Sequence, residues 1–154
     1  MAISPYVAEL RQLIGTRLLL LPSACVIPMD DDGRILLVRQ RQHGKWETVG
    51  GTIEPDESPH EAAVREAKEE ASIDVELKLV AVLGGPEYVA TYPNGDRCQY
   101  VSSVFEARIV GGEPAPDHEE TDEVAWFSRE DLETSTEIGD FCRTTLLAIG
   151  HLRR

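Results

Sequence analysis

The chain has 154 residues, 42% of them hydrophobic and 28% charged, a composition that suits one ordinary domain over residues 1–154 and requires no disulfide or structural metal to complete its core. Its 15 Lys and Arg face 28 Asp and Glu, a formal charge of -13, which opposes nonspecific attraction to nucleic-acid polymers and anionic membranes, so neither is expected as a partner. An anionic substrate would need a divalent cation to offset the field of the protein itself.

Ser4 and Pro5 place an N-cap and a proline at N1, Tyr6, Leu10, Leu13 and Ile14 recur at helical spacing, and Gly15 stops the run, which predicts a short amphipathic helix. Its apolar stripe suits packing on the protein's own sheet, a lid, or contact between copies in a homodimer. Residues 18–29 and 34–40 read as strands, joined by a hairpin turn at Asp30, Asp31, Asp32 and Gly33. Residues 46–52, WETVGGT, are marked by glycine and lead into a helix opened by Ser58, Pro59, His60 and Glu61, a capping box with proline at N1. Residues 74–83 alternate as a strand, 92–96 (YPNGD) are a turn, 100–110 a strand, 111–116 a loop and 123–127 (EVAWF) a final strand. Ser128 caps a brief helical turn, and Phe141, Leu146, Leu147 and Ile149 form the apolar side of a last helix. The interspersed order predicts an α+β domain with a mixed sheet.

Cys25, Cys98 and Cys142 are far apart and lack metal-ligand spacing; they read as buried thiols in a reducing compartment. The first ten residues contain Glu9 and no basic region, and the apolar run at 18–29 is short and broken by proline. Neither a leader nor a membrane span is expected, and the expected location is cytoplasmic.

The chemistry concentrates between Gly51 and Ile73. At about 100° per residue, Glu66, Glu69 and Glu70 share one helical face, flanked by a stripe of Ala63, Val64, Ala67 and Ala71 that lets the helix lie close to a sheet. Clustered like charges destabilise a helix, so this arrangement serves something other than local stability. Hard divalent cations take carboxylate oxygens and complete their shells with water and phosphate.

Gly51, Glu57, the run Arg65-Glu66-Ala67-Lys68-Glu69-Glu70 and Ile73, with Gly50 and Trp46 ahead of them, resemble the box of the Nudix hydrolases of MutT-like type. The resemblance implies a three-layer α/β/α sandwich and divalent-cation-dependent hydrolysis of a nucleoside diphosphate linked to another moiety. It also implies Glu66 and Glu70 as ligands of Mg²⁺ or Mn²⁺, Glu69 as a ligand or base, and the Gly51 carbonyl as a further ligand. Arg65 and Glu57 would orient the carboxylates. In similar enzymes an acid in the region of Glu119 and Glu120 acts as the base; an acidic surface loop is the other reading. Trp46 either stacks on a base or fills the core. Arg39 and Arg41, with Gln40 between them, end a strand near the box, so one grips a phosphate or forms a surface ion pair. A rival role on the same fold is a regulatory module that binds a nucleotide without turnover. ADP-ribose, nucleotide sugars and nucleoside triphosphates all carry the diphosphate the box reads. Two positions depart from the family pattern. Val49 stands where proline is usual, and Ser72 where glycine is usual, so Ser72 either takes a left-handed conformation or the chain turns differently there.

Overall fold

The structure, a computed structural model, describes residues 3–154. In chain order the elements are α1 (Pro5–Ile14), β1 (Leu19–Pro28), β2 (Ile35–Gln40), β3 (Trp46–Glu47), β4 (Val49–Thr52), α2 (Pro59–Ala71) and β5 (Asp74–Leu83). A 3-10 turn at Pro86–Tyr88 then leads to β6 (Val89–Thr91), β7 (Arg97–Gly111), β8 (Thr121–Phe127), α3 (Arg129–Thr134) and α4 (Asp140–Ala148). One sheet runs β4-β1-β7-β5, with β6 also paired to β7, and the other runs β3-β2-β8. The first is mixed, because β1 pairs antiparallel with β4 and parallel with β7.

The Asp30 to Gly33 turn forms as expected: the Asp30 amide donates to the Arg34 carbonyl at 3.0 Å and Met29 bridges to Ile35. The hairpin does not, because β1 and β2 part into different sheets beyond that bridge. The cause is their composition, apolar at nearly every position, which suits strands covered on both faces. Ala24, Val26, Leu36 and Val38 point into a core beneath α2, whereas Cys25, Ile27, Ile35 and Leu37 point into a core beneath α3 and α4. Helices therefore cover both faces of the strands, in the α/β/α arrangement the resemblance implies.

A third cluster of Val7, Leu21, Tyr88, Cys98 and Tyr100 lies under α1. Val7 rather than the expected stripe anchors that helix; Tyr6 is exposed, and so is Leu13 at 79%. Ser4 Oγ caps it from the Val7 amide, and the Arg11 guanidinium donates to the carbonyls of Gly15, Arg17 and Arg97. All three cysteines are free and buried. Among the described residues no helix is long and apolar enough to cross a membrane.

Candidate metal centre and cleft

The α2 helix approaches the sheet through alanine. Ala62, Ala63, Ala67 and Ala71 are fully buried, whereas Val64 is exposed, so the apolar stripe is rotated to include Ala62 in its place. Small side chains bring the helix so near β4 that a Cβ on Gly51 would stand 2.3 Å from Glu66 Oε1. Gly50 is required for a second reason: its φ is 154°, and a Cβ there would meet the Ala24 carbonyl oxygen at 2.2 Å. Ser58 and Glu61 form the expected capping box. At the other end Ser72 takes φ 60° and ψ 29°, the left-handed conformation, with its amide donating to the carbonyls of Ala67 and Lys68.

Glu70 is 1% exposed and Glu66 7%. Glu70 Oε2 accepts the Gly50 amide at 3.2 Å, while its Oε1 is buried with no hydrogen-bond partner. Burial, then the charge of Glu66, holds the Glu70 carboxyl well above the usual range, against the pull of the Gly50 amide. Burial also pushes Glu66 up to about 7; Arg65 opposes this, and the charges of Glu69 and Glu120 add to it. Arg65 is the organiser. Its Nε and Nη2 donate to the two Glu57 oxygens at 2.6 and 3.0 Å, and its Nη1 donates to Glu66 at 2.9 Å and to Glu69 at 3.2 Å. That fork holds the Glu57 carboxyl below its ordinary value. Glu69 is the open member, its side chain 55% exposed.

The loop before β8 is tied to this centre by residues to which the sequence reading gave no role. Asp117 Oδ1 accepts the amides of Glu119, Glu120 and Thr121, and Thr121 Oγ1 donates to the Glu70 carbonyl at 3.0 Å. The signal was an aspartate able to form a side-chain turn just ahead of a strand. The two candidate bases separate here. Glu120 is half-buried and close enough to raise both Glu66 and Glu70, whereas Glu119 is exposed.

A cleft of about 760 Å³ opens beside Glu70, Gly50 and Gly51, walled further out by Lys45, Tyr92 and Phe141. Arg39, Arg41 and Trp46 are not among its described walls. Arg39 is paired with Asp122 at 2.8 Å and Glu123 at 3.0 Å and lies over the Trp46 ring, and Arg41 donates to the His118 carbonyl. Trp46 is the core residue of its two readings, 8% exposed and edge-on to Phe127 at 5.0 Å. Among the described residues no three His, Cys, Asp or Glu side chains are grouped closely enough to hold an ion unaided. The centre still fits a hard cation: Glu66 and Glu70 are buried acids on one helical face, and the Glu70 Oε1 lone pairs have nothing to accept.

The sequence profile of the NUDIX domain matches residues 19–144. The chain belongs to the Nudix family. A MutT-like protein of Streptomyces ambofaciens is 32% identical over 110 residues, covering 71% of this chain and 65% of that protein. An ADP-ribose pyrophosphatase of Methanocaldococcus jannaschii is 31% identical over 115 residues, covering 71% of this chain and 64% of that protein. The matched stretch thus spans less than two thirds of the length of each. The crystal structure of a MutT Nudix hydrolase from Burkholderia pseudomallei superposes with a TM-score of 0.68 at 26% identity, covering 83% of this chain and 96% of that one. Nudix hydrolases generally use divalent cations.

Proposed function

We propose that the chain, acting as one domain over residues 1–154, hydrolyses the phosphoanhydride of a nucleoside diphosphate linked to another moiety, with Mg²⁺ or Mn²⁺ as cofactor. The observation that carries this reading is the buried Glu66 and Glu70 pair, of which Glu70 has one orphaned oxygen and lines a cleft large enough for a nucleotide. Glu66 and Glu70 would hold the cation, with Glu69 and the Gly51 carbonyl as additional oxygens. A bound divalent cation there offsets phosphoryl charge and lowers the pKa of water.

The remaining work falls to the chain itself. Arg65, clamped by Glu57, fixes the rotamers of Glu66 and Glu69 so that the carboxylates need not reorganise as charge develops. Glu120, beside both buried acids, takes the proton as water adds to phosphorus; the bridging P–O bond breaks and a nucleoside monophosphate leaves with a second phosphorylated product. Glu69, held by Arg65 and half-open to solvent, is the next choice of base, and Glu119 the last. Tyr92 and Phe141 offer ring surface along the cleft for a base to rest on. Like the relative named for ADP-ribose, the chain would act on a small molecule, in the cytoplasm, without polymer or membrane as partner.

Incubation with ADP-ribose, a nucleotide sugar and a nucleoside triphosphate, each with Mg²⁺ and then with EDTA, tests this by the appearance of nucleoside monophosphate. Tight binding of all three without any product would instead make the chain a regulatory module.

A further inference from the structure

Two side-chain atoms among the described residues are buried without a hydrogen-bond partner, Glu70 Oε1 and Gln40 Oε1. Gln40 is 8% exposed, and both residues line the same cleft. A buried acceptor left unpaired is costly, and native proteins keep few of them. Once Glu70 is ionised, as cation binding requires, the two oxygens are both acceptors and cannot satisfy each other. A hard cation in the cleft, with its bound water, would serve both.

The backbone ties them to one place. Gln40 stands opposite Thr121 in the β2–β8 ladder, and Thr121 Oγ1 donates to the Glu70 carbonyl. The next amide along, that of Arg41, donates to the Glu120 carbonyl at 2.9 Å. The ladder slips register between Arg39 and Gln40, the kind of irregularity that re-aims a side chain beside a site. Arg39 goes to Trp46 and Asp122; Gln40 goes to the cleft. Its amide oxygen is neutral, so it adds a hard donor without adding to the repulsion among Glu66, Glu70 and Glu120. An arginine or lysine there would instead compete for those carboxylates.

We infer that the Gln40 carboxamide oxygen belongs to the divalent-cation site, accepting the ion or its bound water beside Glu70. The inference rests on the cation reading above and adds a residue from outside the helix to it.

Mn²⁺ binding to the metal-free protein without substrate, followed by titration calorimetry and by melting, tests it. Gln40→Met keeps the length and removes the acceptor: its metal-free melting temperature should equal or exceed that of the parent, and its Mn²⁺ affinity should fall roughly tenfold to hundredfold. Gln40→Glu should bind Mn²⁺ at least as tightly as the parent, and it carries the test if Gln40→Met does not fold. Parent-like Mn²⁺ affinity in Gln40→Met, with affinity lost in Glu70→Gln, overturns the assignment of Gln40 alone, whatever happens to KM. Parent-like affinity in both variants overturns the cation site itself. A lower metal-free melting temperature in Gln40→Met with Mn²⁺ affinity intact also overturns the assignment, because the oxygen would then serve the fold.

Discussion

The α2 and α4 helices lie on opposite faces of the strands, and each meets a strand through a glycine pressed against a carboxylate, with the parts exchanged. At α2 the helix carries Glu66 and the strand supplies Gly51. At α4 the strand carries Glu47 and the helix N-cap is Gly139, where a Cβ would stand 1.6 Å from Glu47 Oε1. Glu47 Oε2 accepts the Cys142 amide at 3.2 Å, and burial, followed by the charge of Asp140, pushes its carboxyl up to about 7. The difference lies in the helix ends. The Ser58 and Glu61 capping box meets the needs of α2 locally, whereas α4 has no side-chain cap of its own and recruits Glu47. On α2 the cap is met locally and the buried acids take no part in it, whereas on α4 the buried acid is itself the cap.

The sharpest way to break this contrast is a pair of isosteric variants. Glu70→Gln should fold and lose roughly tenfold to 10³ or more in kcat, whereas Glu47→Gln keeps an acceptor for Cys142 and should retain most of its activity. Equal losses in the two would end the distinction. Next come the glycines. Gly51→Ala pushes against the movable end of Glu66, so activity should drop about tenfold or more with little change in melting temperature. Gly139→Ala disturbs a helix cap, so it should lower stability by about 0.5–2 kcal/mol and affect rate less.

Metal-free stability against pH sharpens the comparison further. Glu47 and Glu66 are raised from 4.5 to about 7, and Glu70 is also raised, each chiefly by burial. Between those values the folded chain holds protons that the unfolded chain has released. These groups therefore stabilise fully below pH 4.5 and lose that contribution as pH rises through about 7. The metal-free melting temperature should fall from about pH 5 to about pH 7.5. Glu47→Gln should reduce the slope, and saturating Mg²⁺ should reduce it more, because a cation stabilises the ionised acids on α2. A flat profile would show that the three acids are not buried as described. The smallest effect belongs to Ser72→Gly, which relieves a left-handed serine and should stabilise by up to about 1 kcal/mol, less the unfolded-state entropy of glycine. A thermal melt showing destabilisation would contradict the conformation seen at that residue.

What the sequence made legible was governed by local chemistry. Ser4 with Pro5, the Ser58 box and Ser128 start helices where expected, residues 74–83 form β5, and the turn at 92–96 closes between the amide of Tyr92 and the carbonyl of Asp96. The spacing of the acids on α2 was equally local, and it put Glu66 and Glu70 on one buried face. What stayed hidden depended on partners distant in sequence. Residues 46–52 split at Thr48 between two sheets because β3 seeks β2 and β4 seeks β1. Arg39 and Trp46 turn from the cleft because Asp122 and Phe127 arrive on β8. Gln40, Asp117 and Thr121 acquire meaning only once that strand is in place.

The central ladder, Leu19 opposite Cys98 through Pro28 opposite Ala107, joins the first strand of the chain to the seventh. So distant a parallel pairing must pay the entropy of closing a long loop before it gains anything, and such pairings form slowly. The α2 helix carries its own start signal and can be helical early. Its acids become buried only as β4 packs against them and β8 docks through Thr121, so the change in their protonation waits on both strands. Recovery of activity during refolding should therefore lag behind recovery of helicity, with the long pairing of β1 and β7 setting the interval.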